Sequence, residues 1–252
     1  MTIITTAEYT VLHTEGAGPA ADTSFQKAAW PLERRILNLS RTFNLCEEAG
    51  IQARGNLAAL GFNQANCSVR EISEPDDDLL VKQDGNVLLT NTDVALITWA
   101  ADCCLVALIG DDGEWVAVLH ASVNTFKNGI IDVAIQAMRD KGTKFITAYV
   151  GVCADKCCYE YGAEQAARDF AAWPEFIIPD KPGKVHLDLG GAVRESLDRN
   201  GATVVDIFPD CHCNMCAKGK DGSYRFPSYR RDVDENGNHI NGQYALIVQK
   251  KH

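Results

Sequence analysis

No stretch of this chain stays apolar for the length of a bilayer span, which argues against helices that cross a membrane. The segment Met1 to Thr14 lacks a basic leader followed by a long apolar run, so no secretion signal is expected and a cytoplasmic location is. Positive charge is also in deficit: 24 Lys and Arg stand against 34 Asp and Glu, a formal net charge of −10. Proteins that hold nucleic acid by neutralising phosphates need the opposite balance, so nucleic acid is not an expected partner. Internal repeats, low-complexity tracts and an interdomain linker are missing as well. The 252 residues suit a single domain spanning 1–252.

Cysteine is what the chain has in excess, with 10 residues unevenly placed. They fall as Cys103–Cys104, as Cys153 with Cys157–Cys158, and as Cys211, Cys213 and Cys216. Without a secretion signal such residues are expected as thiols, buried small hydrophobes or metal ligands rather than a disulfide framework.

The apolar pattern predicts an α+β fold. Thr2 to Leu12 reads as a strand, and Gly16 to Ser24 as a loop. Pro31 opens a helix with Leu32, Ile36, Leu39 and Phe43 at helical spacing, stopped by Gly50. Short apolar runs follow at Val94–Trp99, Cys104–Ile109 and Trp115–His120, the last two joined by Asp111-Asp112-Gly113, a hairpin signal. Further helices are expected over Asn128–Met138, Glu164–Ala172 and Gly191–Arg199. Strands are expected over Phe145–Val152, Thr203–Phe208 and Gln243–Gln249. Strands with irregularly interspersed helices point to hairpins rather than strict βαβ alternation.

The hairpin carries the first chemical expectation. The start of its first strand faces the end of its second, which brings Cys103 and His120 close across the ladder. A thiol beside an imidazole suits a metal site, an activated nucleophile, or simply a buried thiol next to a satisfied histidine. Arg230 and Arg231 are a second candidate, because a guanidinium fork fits phosphate; an ion pair with Asp232 is the structural alternative. Asp188, before a helix, is expected as a cap.

These residues sit in segments that resemble the YfiH-like laccase-domain family. Ala100-Ala101-Asp102-Cys103-Cys104-Leu105-Val106, then His120-Ala121, is similar to its TADC-x-P-V and HAGWRG motifs. Gly151 to Gly162, with Cys157-Cys158-Tyr159-Glu160, is similar to its GP-x-I…CCYEVG loop. Cys213-x-x-Cys216 followed by Ser228-Tyr229-Arg230-Arg231-Asp232 is similar to its CT-x-C…FFSYRRD ending. The resemblance runs from about Leu32 to Val248. It implies a layered α/β/β/α fold with mixed sheets, related to the catalytic domain of cytotoxic necrotizing factor. It also implies a pocket with a His–Cys–His metal triad assigned to zinc, copper ranking behind it, and nucleoside and phosphate as small-molecule partners. Cys103 matches the cysteine ligand and His120 the second histidine. Asn66 stands where the family has the first histidine, and is expected at the substrate instead.

Other departures accompany that one. His120-Ala121-Ser122-Val123-Asn124-Thr125 lacks the tryptophan, arginine and final glycine of HAGWRG, and Gln243 replaces an arginine. A catalytic zinc normally takes three protein ligands, so the site needs a substitute third, with Cys67, Cys157 and Cys158 as candidates. The implied activity is phosphorolysis of adenosine or inosine, or deamination of adenosine. Two other readings stand beside it: a paralogue that binds without turnover, and a metal-independent hydrolase with Cys103 as nucleophile and His120 as base. Cys211, His212, Cys213 and Cys216 also invite a zinc-knuckle or iron–sulfur reading with Cys153, Cys157 and Cys158. The interval of more than fifty residues between the two groups argues against it.

Overall fold

The computed structural model describes residues 1–15, 22, 30–60, 67–80, 85–240 and 242–251. Most of the loop expected at Gly16–Ser24, and the segment containing Asn66, lie outside the described residues.

Two mixed sheets face each other. The first has the strand order β1-β2-β14-β6-β3, with β1 Thr2–Thr5, β2 Tyr9–His13, β3 Leu57–Ala59, β6 Ala95–Ala100 and β14 Tyr244–Lys250. The second has the order β13-β9-β7-β8-β5-β4, with β4 Val69–Glu71, β5 Val87–Thr90, β7 Cys104–Gly110, β8 Val116–Ala121, β9 Ile146–Val150 and β13 Thr203–Asp206. A small third sheet joins β10 Glu160–Gly162, β12 Lys184–Leu187 and β11 Ile177–Pro179. The helices are α1 Leu32–Glu48, α2 Val123–Lys127, α3 Ile130–Asp140, α4 Ala163–Asp169 and α5 Leu189–Arg199.

Three apolar layers make the α/β/β/α stack. Leu12, Ile97, Trp99 and Ile247 pack against Cys46, Leu39 and Phe43 of α1. Leu96, Leu246 and Val248 meet Leu105, Ala107, Val116 and Val118 between the sheets. Val106, Leu108, Ala117 and Leu119 meet Ile131, Ile135 and Leu197 of α3 and α5. Strands β7 and β8 therefore read as unbroken apolar runs because both of their faces are covered. The parity is strict. Cys104, Val106 and Leu108 face the helices, while Leu105, Ala107 and Ile109 face the opposite sheet.

Several elements differ from their sequence pattern for local reasons. The strand expected over Thr2–Leu12 is a hairpin, because the Thr6 hydroxyl accepts from the Glu8 and Tyr9 backbone N–H groups and turns the chain. The helix expected over Asn128–Met138 is preceded by a separate short helix, and the break lies at Gly129 with φ +82°. Helix α1 turns a different face inward than expected: Asn38, Thr42 and Cys46 are its buried residues, and Leu32 and Ile36 are exposed. Asn38 is tolerated there because it donates to Asp22 at 2.7 Å. Asp188 does cap α5, accepting from the Gly191 N–H at 2.7 Å.

Where β9 ends, Gly151 passes the buried ring of His13 so closely that a Cβ would lie 2.8 Å from Nε2 and 3.3 Å from the Leu105 carbonyl oxygen. His13 is hemmed in by Phe208, Phe226 and Tyr244 and cannot give way. Gly151→Ala is expected to destabilise the protein by about 1–3 kcal/mol, read as a drop of several degrees in Tm.

Candidate active site

The N-terminal ends of β7 and β14 and the C-terminal ends of β6, β8 and β9 lie together at one end of the inter-sheet layer, as their registers require. Tyr244 pairs with Ala100, Cys104 with Ala121, and Val106 with Val150. The loops that follow β9 and β13 leave from this same end. Brought here, each of these short segments contributes a residue to one constellation.

His120 is the penultimate residue of β8, and its cross-strand partner is Leu105. Cys103 lies two residues before Leu105, just outside the ladder, so it shares the parity of His120 but sits diagonal rather than opposite to it. His120 is 1% exposed, and burial lowers its pKa to about 4. The imidazole is neutral at physiological pH. The Cys103 thiol is pushed up to about 12 by burial first and by the neighbouring Asp102 and Cys104 next. That is the reverse of the lowered thiol pKa a cysteine nucleophile requires.

Asp102 organises the surroundings. It is 4% exposed and holds φ +90°, the one positive φ among the described non-glycine residues. Its carboxylate accepts from Asn214 Nδ2 at 2.8 Å and from the Arg230 backbone N–H at 2.9 Å. Its own carbonyl accepts from the Ala154 N–H at 2.8 Å. One residue thus ties three loops to the start of β7. A strained backbone held by such surroundings is typical of functional sites. The Tyr244 hydroxyl, at 2.8 Å from the Cys103 carbonyl oxygen and 3.1 Å from that of Val152, secures the same corner. The TADC-like motif contains Asp102, but its role shows only when Asn214 and Arg230 are brought against it.

The two arginines separate sharply. Arg231 is enclosed: Nε donates to Asp232 Oδ1 at 2.6 Å, Nη1 to the Met215 carbonyl at 2.7 Å, and Nη2 to the Phe226 carbonyl at 2.7 Å and to Asp232 Oδ2 at 2.8 Å. Its fork is committed to the protein. Arg230 is exposed, lies over the Tyr159 ring at 4.4 Å, and donates through Nη1 to the Glu160 carbonyl. Through its backbone bond to Asp102 and its place over Tyr159, Arg230 joins these residues into one wall, with Cys103 next to Asp102 in the chain.

The candidate third ligands go elsewhere. The Cys67 Sγ donates to the carbonyls of Thr125 and Asn128, at 3.4 and 3.5 Å. Cys157 and Cys158 turn to Cys213 and Cys216. Among the described residues these four cysteines form the one group of three or more His, Cys, Asp or Glu ligands close enough to share an ion. Among the described residues Cys103 and His120 belong to no group of three such ligands, and a catalytic zinc normally takes three. The interval that argued against pairing the two cysteine groups is bridged by the fold, while Cys153, Cys211 and His212 stay outside the four.

His13 and His120 make stability depend on pH. Both are buried, and burial lowers each to about 4. Between about pH 6.5 and pH 4 the unfolded chain binds more protons than the folded one, so stability falls as pH drops through that window. Near pH 5 each histidine is expected to cost about 2 kcal/mol relative to pH 7. Urea denaturation at the two pH values checks this, and His120→Asn should remove about half of the difference.

The architecture is that of solved YfiH-type proteins. The YfiH protein of Bacillus licheniformis superposes with a TM-score of 0.77 at 17% identity, covering 96% of this chain and 93% of that one. This likeness establishes the fold. Residues 43–246 match the model of the multi-copper polyphenol oxidoreductase laccase family, and the chain belongs to that family. A purine nucleoside phosphorylase of Aquifex aeolicus is 32% identical over 150 residues, 59% of this chain and 66% of the relative. An adenosine deaminase, RL5, of an unknown prokaryotic organism is 27% identical over 188 residues, 71% of this chain and 66% of the relative. The chain thus spans just under two thirds of each of these relatives. No helix among the described residues is long and apolar enough to cross a membrane.

Proposed function

We propose that this protein is a purine nucleoside phosphorylase, splitting adenosine or inosine with inorganic phosphate at the end of the inter-sheet layer. The observation that carries the reading is the exposed guanidinium of Arg230, held over the Tyr159 ring on a backbone anchored to Asp102, the chain neighbour of Cys103. Two curated relatives, named as a purine nucleoside phosphorylase and an adenosine deaminase, supply the substrate class.

In this reading Arg230 binds phosphate and neutralises it as its oxygen attacks the ribose C1′. The C1′–N9 bond breaks, the purine leaves with the bonding pair and takes up a proton, and ribose 1-phosphate remains. His120, a neutral imidazole, and Cys103, a protonated thiol, offer hydrogen bonds that orient the nucleoside. Asn66 is proposed at the substrate because the family has a pocket histidine at its position. Arg231 serves the same site by holding the loop that carries Arg230.

Zinc at Cys103 and His120 would supply Lewis acidity, but two ligands do not make that site, and still less a multicopper centre. Deamination, which replaces the purine amino group by water-derived oxygen and releases ammonia, relies in zinc deaminases on metal-activated water and is the less supported reaction. The test is chromatography of adenosine and inosine after incubation with the protein, with and without phosphate. Phosphate-dependent release of adenine and hypoxanthine, abolished in His120→Ala, is expected. Inosine appearing from adenosine would favour deamination, and intact nucleosides would favour a paralogue that binds without turnover.

A further inference from the structure

Beyond the pocket, Cys157, Cys158, Cys213 and Cys216 place four sulfurs within 4.8 Å of one another, with Cys157 and Cys216 at 3.6 Å. Four thiolates around one zinc at about 2.3 Å stand about 3.8 Å apart along each edge of the tetrahedron. The grouping is close to that size and needs only a small contraction. Iron–sulfur clusters ligated through separate irons hold their cysteines wider apart than one ion does, so the spacing favours a single ion.

The backbone preforms both halves of this grouping. Cys157 and Cys158 lie on a turn in which the Asp155 carbonyl accepts from the Cys158 and Tyr159 N–H groups, each at 2.8 Å. Cys213-x-x-Cys216 is a second turn, with the Ala217 N–H donating to the Cys213 carbonyl at 3.3 Å. A parallel bridge between Cys153 and Cys213 joins them, through Cys153 N–H to the His212 carbonyl and Asn214 N–H to the Cys153 carbonyl, both at 3.1 Å. Cys213 is buried, Cys158 half-buried, and Cys157 and Cys216 are exposed, so an ion has a path in. As packing residues, exposed thiols contribute little; as ligands, all four positions have a purpose.

We propose that these four cysteines form a tetrathiolate zinc site that clamps the loop after β9 to the loop after β13. The clamp acts on the pocket through Asn214, which lies between two of the ligands. Its Nδ2 donates to Asp102 and to the Pro227 carbonyl, both at 2.8 Å. Its carbonyl, with that of Met215, accepts from Arg231. Fixing the Cys213–Cys216 turn therefore fixes the wall that carries Arg230. On binding Zn2+ the four thiols lose their protons to solvent, with no change of redox state.

The test uses untagged full-length protein, kept reduced and loaded anaerobically with Co2+ in place of zinc. Tetrahedral d–d bands with strong sulfur-to-cobalt charge transfer are expected at one equivalent. They should persist in the Cys103→Ala/His120→Ala double variant and be lost in Cys216→Ser, an exposed position whose folding is checked by circular dichroism. Elemental analysis of protein as purified should find zinc in the same pattern across these variants. Absence of thiolate–cobalt bands from the reduced wild type would overturn the proposal. So would bands lost from the double variant but kept in Cys216→Ser, or disulfides joining these cysteines in protein that takes up no metal after reduction. None of these failures touches the phosphorylase reading, which rests on Arg230.

Discussion

Arg231→Ala is expected to lower stability by about 3–5 kcal/mol, whereas Arg230→Ala, one residue away, should leave Tm within a degree or two. The difference lies in what each side chain touches. Arg231 is paired in two places with Asp232, whose carboxylate also accepts from the Ser228 N–H at 2.8 Å, and it caps backbone carbonyls of two loops. Removing it leaves a buried carboxylate uncompensated and several carbonyls without donors. Arg231→Lys should recover little, since an ammonium cannot span Asp232 and the Phe226 and Met215 carbonyls at once. Arg230 is exposed, and its loss removes only the contact over the Tyr159 ring and one hydrogen bond to the Glu160 carbonyl. Its cost should fall on the reaction: a KM for phosphate raised tenfold or more, with kcat/KM for phosphate down on the order of a hundredfold, about 3 kcal/mol of transition-state stabilisation. Denaturation and steady-state kinetics on the two variants give opposite signatures if the assignment holds. Equal losses of stability would contradict it.

Asp102→Ala is expected to cost about 3 kcal/mol or more and to abolish turnover. The substitution removes two hydrogen bonds to an ionised acceptor, each about 1.5–3 kcal/mol where buried, and leaves alanine at φ +90°. Asp102→Asn keeps the backbone tolerance of a short polar side chain and one acceptor oxygen, so it should be milder in stability. The amide nitrogen it introduces faces a donor, either Asn214 Nδ2 or the Arg230 N–H. Asp102→Gly relieves the backbone without restoring either bond, so any excess stability over alanine is a lower bound on the strain, glycine losing more conformational entropy on folding. An alanine variant as stable as the wild type would show that the three loops are held by other contacts.

The legible part of this protein was its local pattern. The short apolar runs Cys104–Ile109 and Trp115–His120 and the Asp111–Gly113 turn between them predict the β7–β8 hairpin, and with it the neighbourhood of Cys103 and His120. The diagonal offset between them is not legible, because it is set by the register that puts Leu105 opposite His120, which the turn residues alone leave open. The inward face of α1 is not legible either: Asn38 and Thr42 look like surface residues until Asp22 comes to meet the first of them. The four-cysteine grouping was hidden by distance in the chain. It exists because β9 and β13 run parallel as neighbours and release their following loops at the same end of the sheet. The division of labour between Arg230 and Arg231 was invisible in the SYRRD-like motif, since the partners that occupy Arg231 include backbone carbonyls, which carry no sequence signal.

In the proposed reaction the wall that carries Arg230, at the end of the inter-sheet layer, presents phosphate to the ribose of a purine nucleoside. Phosphorus NMR of a mixture of protein, inosine and inorganic phosphate tests it most directly. Growth of a ribose 1-phosphate resonance matched by hypoxanthine, and lost in Arg230→Ala protein that remains folded, is the predicted result. An unchanged phosphate signal, or a product that forms as readily in the Arg230→Ala variant, would contradict the account.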